Sequence, residues 1–334
     1  MGGATKMKNV YFFTDLHQLP TVMSSMKVSS FTNEDVLVKL HMGEVKNKYF
    51  PKPDYVKHHI DLLHDHNAKP FLYDTTVLYK SPRRYKTGYE KVAKLHGFTK
   101  KKVGCDVVID DEGVPVEIEG NTYEVGKTLH ESSFVLSLAH VKGHNATGMG
   151  GAIKNFGMGG VTKETKKWLH HGSKPTYTKD NCTYCGVCSE VCPFNAIKVI
   201  DNEWNWSNRS CFGCGVCVDN CEFNALDYQR YDLQYTLACA AKAAVTDKNV
   251  LYVNEVKRIS KNCDCDPFSG PLICPDIGYV ASDDMVAVDA ASLDLINNIK
   301  PDVFKKTHHV DPEKQIQYGE EIGLGSTNYE LISL

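Results

Sequence analysis

Long apolar runs and an excess of one charge are both missing from this sequence of 334 residues. No 18 consecutive residues are apolar, so no transmembrane helix is expected. Lysine plus arginine number 38 against 41 for aspartate plus glutamate, and the basic residues are dispersed, so nucleic-acid binding is not expected. The hydrophobic fraction of 42% and the charged fraction of 24% exclude a disordered, collagen-like or coiled-coil chain.

A secretory signal is also missing, because residues 1–15 contain no apolar core followed by a small-residue cleavage site. Residues 1–6 are expected to form a flexible leader. The chain has 13 cysteines, an odd number, and eight of them lie between Cys182 and Cys221. This clustering without a signal sequence argues against a disulfide framework. We therefore expect a metal-binding protein of a reducing, cytoplasmic compartment.

The clustered cysteines form two copies of one motif. The copy from Cys182 to Cys192 has the spacing C-x2-C-x2-C-x3-C, and the copy from Cys211 to Cys221 repeats it 29 positions later (211 − 182). Neighbouring residues such as Gly186 and Gly215 keep the same offset, so the segment is an internal duplication. In two-cluster ferredoxins of bacterial type, each 4Fe–4S cluster binds the triplet of one copy and the last cysteine of the other.

The spacing therefore assigns the eight thiols to two 4Fe–4S clusters. The first is predicted to bind Cys182, Cys185, Cys188 and Cys221. The second is predicted to bind Cys211, Cys214, Cys217 and Cys192. Two zinc knuckles are the alternative, but zinc sites usually show two separated CxxC pairs rather than triplets with a trailing cysteine.

Apolar strand-like runs alternate with helical periodicity on both sides of this motif. The predicted strands are 10–13, 36–41, 70–73, 107–109, 134–139, 250–253 and 285–288; the predicted helices are 53–67, 84–96, 234–244 and 290–299. The alternation favours an α/β fold with a mostly parallel sheet. We expect a body formed by residues 8–173 and 233–334, with an α+β dicluster ferredoxin module inserted at 174–230. A separate C-terminal domain is the alternative.

The chain resembles the DUF362 family of iron–sulfur proteins over nearly its whole length. The matching stretches are 39–44, 69–79, 140–144, 148–159, 263–265, 275–278 and 281–283. The family name carries no activity, so the resemblance implies the fold and the cofactor rather than a reaction.

Two further groups point to chemistry outside the ferredoxin motif. The glycine-rich segment 140–160 matches neither a Walker loop nor a dinucleotide fingerprint. Its amides, with Lys142, His144 and Lys154 as candidate catalytic residues, are predicted to bind a small anionic substrate; close helix–sheet packing is the alternative. A third cysteine group is predicted to hold a metal or cluster, with His144 as an added ligand; buried thiols are the alternative. Its members are Cys263, Cys265 and Cys274.

The remaining candidate residues either follow apolar strands or lie in helical and polar segments. Those after apolar strands are expected to line one cleft: Lys39, His41, Glu44, Asp74, Asp15 and His17. The histidines of the first long helix are expected to face water: His58, His59, His64 and His66. No metal is expected at the pairs 170–171 and 308–309, and Cys105 and Cys239 are expected in the core.

The favoured function is an oxidoreductase that takes low-potential electrons from a ferredoxin- or flavodoxin-like partner protein. The electrons would pass to a substrate or to a third metal centre in the α/β cleft. A non-catalytic electron carrier or adaptor and a cofactor- or cluster-assembly factor are the alternatives. The glycine-rich segment and the third cysteine group favour the oxidoreductase, because a simple carrier needs neither.

Overall fold

Apolar strands form an eight-stranded central sheet in the computed structural model, which describes residues 7–334. The predicted leader at 1–6 lies outside the described residues. The described residues form 16 strands, eight in this sheet and eight in four two-stranded sheets. They are β1 (Lys8–Phe13), β2 (Asp35–Leu40), β3 (Lys69–Thr75), β4 (Asp106–Asp110), β5 (Gly113–Ile118), β6 (Asn121–Gly126), β7 (Phe134–His140), β8 (Lys142–His144), β9 (Gly148–Gly150), β10 (Pro175–Tyr177), β11 (Ile197–Ile200), β12 (Glu203–Trp206), β13 (Leu226–Tyr228), β14 (Asn249–Val256), β15 (Gly278–Ser282) and β16 (Tyr329–Ser333).

The sheet order is β16-β1-β15-β14-β7-β2-β3-β4. Only the pairings of β15 with β1 and β14 are antiparallel, and the other five are parallel. The prediction of an α/β fold with a mostly parallel sheet is confirmed. Parallel strands are buried on both faces, which explains why their sequences are almost continuously apolar.

Helices cover both faces of this sheet. The helices of the described residues are α1 (Leu19–Ser25), α2 (Pro53–Asp65), α3 (Lys86–Leu95), α4 (Lys100–Val103), α5 (Lys127–Glu131), α6 (Ala152–Gly157), α7 (Lys163–Gly172), α8 (Val187–Glu190), α9 (Val216–Asp219), α10 (Leu233–Val245), α11 (Met285–Ile299), α12 (Val303–His308) and α13 (Glu313–Glu321). Of these, α8 and α9 belong to the cysteine-rich segment 174–230 and not to the layers on the sheet. Alternate residues of β2 show the two layers, because Leu37 belongs to the buried cluster that contains α6, α10 and α11 whereas Val36 and Val38 belong to the one that contains α1, α2 and α3. Within residues 7–334, no helix has the length and apolar character needed to cross a bilayer.

The strand predicted at 285–288 is wrong, because these residues form the first turn of α11. Asp284 caps the helix, and its Oδ1 accepts hydrogen bonds from the amides of Val286 (3.0 Å) and Ala287 (2.9 Å). The helix is buried on nearly all sides at this end, so its apolar run shows no period that would separate it from a buried strand. The true strand, β15, lies just before it.

Residues 174–230, called here the ferredoxin-like segment, contain two small antiparallel sheets, β10–β13 and β11–β12. Its two sequence repeats adopt the same local structure. Gly186 (φ 83°) and Gly215 (φ 77°) both take the left-handed conformation at the residue before a short helix, α8 or α9. Glycine adopts this conformation without steric cost, which explains the repeated glycine in the motif.

The expected exposure of one histidine on α2 is wrong. His58 and His64 are exposed, but His59 is fully buried, with its Nδ1 3.0 Å from the carbonyl oxygen of Tyr55 and its ring edge-on to the Tyr55 ring. Burial lowers the pKa of His59 to about 4. The charged residues around it on α2 concealed a core position, because adjacent residues of a helix point to different faces.

Replacing His59 by phenylalanine is expected to reduce the acid sensitivity of the fold. Between about pH 6.5 and 4 the unfolded chain binds a proton that the folded chain does not, so the free energy of unfolding falls as pH drops through this window. The slope from one such group is about 1.4 kcal/mol per pH unit, and His59→Phe removes it. Anaerobic urea unfolding at several pH values measures the slope. The exposed neighbour gives the control, His58→Phe, and equal slopes in both variants would contradict the prediction.

Candidate functional site

The eight clustered cysteines line two separate pockets, each with four thiols. The first pocket is lined by Cys182, Cys185, Cys188 and Cys221. The second is lined by Cys192, Cys211, Cys214 and Cys217. The fold thus places the last cysteine of each repeat beside the triplet of the other repeat, in the same two groups as the spacing predicts. None of the 13 cysteines, all of which lie within the described residues 7–334, forms a disulfide bond.

The donor set of both pockets fits iron–sulfur clusters. No carboxylate or imidazole lines either pocket among the described residues, and thiolates are the soft ligands that such clusters require. Backbone amides also approach the sulfur atoms: the Tyr184 amide lies 3.4 Å from Cys182 Sγ, and the Ala196 amide lies 3.2 Å from Cys192 Sγ. Hydrogen bonds of this kind stabilise the charge on a thiolate ligand.

A larger cavity of about 390 Å³ lies where the carboxyl ends of β2 and β3 meet the β8–β9 hairpin and the ferredoxin-like segment. Ligand sites of open α/β sheets occur at this edge. Five cationic side chains line it: Lys39, Arg83, Lys142, Lys154 and Lys166. Only two carboxylates among the described residues, Asp74 and Asp266, accompany them. This imbalance gives the cavity a positive potential that attracts anions.

The cationic side chains are held by buried hydrogen bonds. Lys39 Nζ lies 2.9 Å from Asp74 Oδ1 and 3.1 Å from Asn155 Oδ1, and burial lowers the pKa of Lys39. Lys166 Nζ donates to Thr75 Oγ1 at 2.7 Å and to the Thr76 carbonyl oxygen at 2.5 Å. Because these acceptors are neutral, burial lowers the pKa of Lys166 to about 7. Lys166 can therefore exchange a proton near neutral pH.

Two histidines of the cavity are fixed as hydrogen-bond donors. The Ala146 amide donates to His144 Nδ1 at 3.1 Å, and the Gly43 amide donates to His41 Nδ1 at 3.0 Å. A backbone N–H is always a donor, so the ring proton of each neutral imidazole is on Nε2. Burial lowers the pKa of both imidazoles well below the usual value, which keeps them neutral.

His170 has the opposite tautomer. Its Nδ1 lies 3.2 Å from the carbonyl oxygen of Gly213, so Nδ1 carries the proton and Nε2 is an acceptor. Burial lowers the pKa of His170 to about 4. The centroid of its ring lies 4.2 Å from the ring centroid of Phe212, a residue of the loop that lines the second cysteine pocket. His170, which was not expected to have a role in a site, thus connects the cavity with this loop.

Cys263 and Cys265 face the same cavity from a tight turn. The ligand atoms of both thiols and of His144 lie within 4.8 Å of one another. Lys154 Nζ lies 4.0 Å from Cys263 Sγ. The hydrogen bond from the Cys265 thiol, supported by the Lys154 and Lys142 ammonium groups, lowers the pKa of Cys263. The third expected member of this group is wrong: Cys274 is buried in the hydrophobic core and lies outside the group.

The glycine-rich segment does not form the predicted amide cradle. Residues 142–150 form a buried antiparallel hairpin, β8–β9. The amides of Ala152 and Ile153 at the start of α6 bind the carboxylate of Asp289, at 2.7 and 2.9 Å. A side chain at Gly151 would collide with that carboxylate. Close packing therefore explains glycine here, and the anion-attracting charge comes from the lysines.

The cleft predicted at the ends of the strands is partly correct. Lys39, His41 and Asp74 line the cavity. Glu44 lies behind it, 3.6 Å from Arg83. Asp15 and His17 are exposed and outside it, because three strands separate β1 from β2 in the sheet.

The family model of a domain of unknown function, DUF362, matches residues 36–294, which include every residue of the cavity and all eight clustered cysteines. The chain belongs to the DUF362 family. The same match includes Cys263 and Cys265, so both pockets and the cavity of this DUF362 protein lie inside the family domain.

Other similarities of this DUF362 protein are limited in extent or weak. A stretch of 20 residues, 6% of the chain, is 70% identical to an uncharacterized ferredoxin of Methanocaldococcus jannaschii and covers 32% of that protein. The lactate racemase apoprotein of Thermoanaerobacterium thermosaccharolyticum aligns with 75% of this chain and 51% of its own, at 11% identity and a TM-score of 0.36. A Thermotoga maritima protein aligns with 92% and 58%, at 7% identity and a TM-score of 0.44. The chain thus spans about a third of the ferredoxin and little more than half of the two solved chains.

Two phenylalanines join the second pocket to the cavity of this DUF362 protein. Phe194 and Phe212 line both spaces, and their rings stack at a centroid distance of 5.1 Å. The first pocket lies farther out, since Cys185 is exposed whereas Cys217 of the second pocket is buried. The first pocket, the second pocket and the cavity therefore follow one another from the surface inward.

Proposed function

We propose that this DUF362 protein is an iron–sulfur oxidoreductase that delivers low-potential electrons to a small anionic substrate in the cavity. The two groups of four thiols and the match to a protein named as a ferredoxin point to an iron–sulfur protein. The shared lining by Phe194 and Phe212 is the observation that carries the oxidoreductase. A simple electron carrier has no need of a cation-lined cavity beside its second cysteine pocket, the inner of the two.

The first pocket would hold one 4Fe–4S cluster and the second pocket the other. When bound, these clusters supply single electrons at low potential. Electrons would enter at the first pocket, where Cys185, Val187 and Phe223 are exposed to a ferredoxin- or flavodoxin-like partner. Because the inner pocket adjoins the cavity, the chain itself provides a path from the surface to the substrate.

The side chains of the cavity would bind the substrate and move protons. Lys142 and Lys154 attract the anion, and the Nε2–H groups of His41 and His144 donate hydrogen bonds to it. Lys166 is placed to give up a proton near neutral pH, since its ammonium group has only neutral acceptors. These roles are consistent with a reduction in which the substrate gains both electrons and protons.

Anaerobic purification is expected to give about eight iron and eight sulfide per chain, from two cubane clusters. Reduction with dithionite should produce a paramagnetic resonance signal of two interacting clusters. Metal and sulfide analysis of the same sample measures the stoichiometry. Stoichiometric zinc without sulfide would contradict the proposal, because zinc in a thiolate site binds no inorganic sulfide.

A further inference from the structure

Two thiols of the cavity, Cys263 and Cys265, lie outside both cysteine pockets. Cys263 and Cys265 occupy the first and third positions of a turn that the Asp266 amide closes on the Cys263 carbonyl oxygen at 2.9 Å. The amide of Cys265 donates to Cys263 Sγ at 3.4 Å. We infer that Cys263 and Cys265 form a redox-active dithiol that reduces small anionic disulfides with electrons from the clusters. This inference rests on the proposed function and names its substrate class.

The geometry suits a pair that alternates between two thiols and one disulfide. Their sulfur atoms lie within 4.8 Å of each other, and rotation of the side chains can bring them to the roughly 2.05 Å of a disulfide bond. Both side chains face the cavity that Phe194 and Phe212 also line. The dithiol is therefore open to a substrate in the cavity, and the same cavity adjoins the second cysteine pocket through the two phenylalanines.

The charges around the pair select an anion. Lys154 Nζ is 4.0 Å from Cys263 Sγ, and Lys142 and Arg83 line the same cavity. Ammonium groups near a thiol favour the thiolate, which is the nucleophile in disulfide exchange. The same groups attract a disulfide that carries carboxylates. The volume of about 390 Å³ limits the substrate to a small molecule.

The reaction balances without another cofactor. The Cys263 thiolate attacks the substrate disulfide RS–SR, which forms a Cys263–SR bond and releases one thiolate RS⁻. The Cys265 sulfur, after losing its proton, attacks Cys263; the internal disulfide forms and the second RS⁻ leaves. Two electrons and two protons then restore the two thiols, and two clusters hold the required two electrons. The sum is RS–SR plus two electrons and two protons, giving two RSH.

A third metal centre at the same residues is less favoured by the structure. His144 Nδ1 accepts the Ala146 amide, which leaves the proton on Nε2 and no free imidazole lone pair for a metal. Cys274, the third thiol expected there, lies in the core. Several cations that line the cavity, the half-buried Lys154 among them, also repel a divalent ion.

A single-turnover experiment with two matched disulfides tests the inference. The holoprotein is reduced with dithionite, freed of reductant by anaerobic gel filtration, and mixed with 3,3′-dithiodipropionate or cystamine. The first probe is a dianion, and the second is a dication of nearly the same size. Reoxidation of the clusters is followed by visible absorbance. We expect one dithiodipropionate to be consumed per two electrons, and a rate with cystamine lower by at least about tenfold.

Three variants identify the thiols. Cys263→Ala is expected to abolish reoxidation by dithiodipropionate while the cluster signal is kept. Cys265→Ala is expected to stop after the first exchange, so that intact-mass analysis finds half of the probe attached to Cys263. Cys105→Ala removes a buried thiol in the other layer of the core and serves as the control, with an unchanged rate.

Each other result overturns the inference. Equal reoxidation rates in Cys263→Ala and the unsubstituted protein would contradict a redox role of the dithiol but not the proposed iron–sulfur oxidoreductase. If metal analysis found one zinc or iron beyond the clusters, and Cys263→Ala lost it, Cys263 would be a ligand of a third metal centre and not part of a redox-active dithiol. A chain that holds no iron and sulfide would remove both proposals together.

Discussion

Replacing Cys192 by alanine is expected to destroy the cluster of the second cysteine triplet, although Cys192 follows the first triplet in the sequence. The structure places it in one pocket with Cys211, Cys214 and Cys217. Iron should therefore fall from about eight to about four per chain. Since this pocket adjoins the cavity through Phe194 and Phe212, loss of its cluster should slow electron delivery to the substrate by more than about 100-fold. Loss of a residue that only hydrogen-bonds a metal ligand already costs a site about 10- to 100-fold in activity, and loss of the whole cluster should cost more.

The equivalent cysteine of the second repeat gives the matched control. Cys221 lines the first pocket, so Cys221→Ala should lose the outer cluster and keep the inner one. Chemically reduced Cys221→Ala should still deliver an electron to the cavity, whereas Cys192→Ala should not. Paramagnetic resonance of the reduced variants should show one isolated cluster in each, with the same spectrum for Cys192→Ala and Cys211→Ala. If Cys192→Ala instead matched Cys182→Ala, each triplet would keep its own fourth cysteine and the crossed assignment would be wrong.

The sequence predicts the fold best where a pattern is local. The strands β2 and β7 and the helices α2 and α10 lie within a few residues of their predicted bounds, because apolar runs and helical periods are set by burial of nearby residues. The prediction fails at 285–288, where a helix is buried on all sides. The cap at Asp284 was the available signal there, since an aspartate just before an apolar run is typical of a helix start.

The site is only partly predictable, because its residues come from distant segments. Lys142, His144 and Lys154 were found because they share one glycine-rich segment. Arg83 and Lys166 were missed, since they lie in segments without a motif and reach the cavity only through the tertiary fold. A signal did exist for α7: Lys166 and His170 are four residues apart and so lie on one face of that helix.

Asp74 is the centre of a buried charge network in the wall of the cavity. Its Oδ1 accepts hydrogen bonds from Lys39 Nζ and from the Thr75 amide, both at 2.9 Å. Its Oδ2 accepts the Tyr89 hydroxyl and lies 3.5 Å from Arg83 Nη2. The side chains of Lys39 and Arg83 are each only 1% exposed, so Asp74 supplies negative charge that water cannot replace. Two of the five cations of the cavity, Lys39 and Arg83, therefore depend on this carboxylate for their place in the fold.

Asp74→Asn is expected to lower the free energy of unfolding by about 3–5 kcal/mol, because it leaves the buried Lys39 without its counter-charge and Arg83 with Glu44 alone. The amide also turns two N–H donors toward groups that already donate, Tyr89 and Arg83. Asp61→Asn is the control: Asp61 pairs with Lys57 at 2.5 Å on the exposed face of α2, and its loss should change stability by no more than about 0.5 kcal/mol. Midpoints of anaerobic urea unfolding followed by circular dichroism compare the two variants. Equal midpoints would contradict the prediction, because they would show that the charge of Asp74 does not hold Lys39 and Arg83 in place.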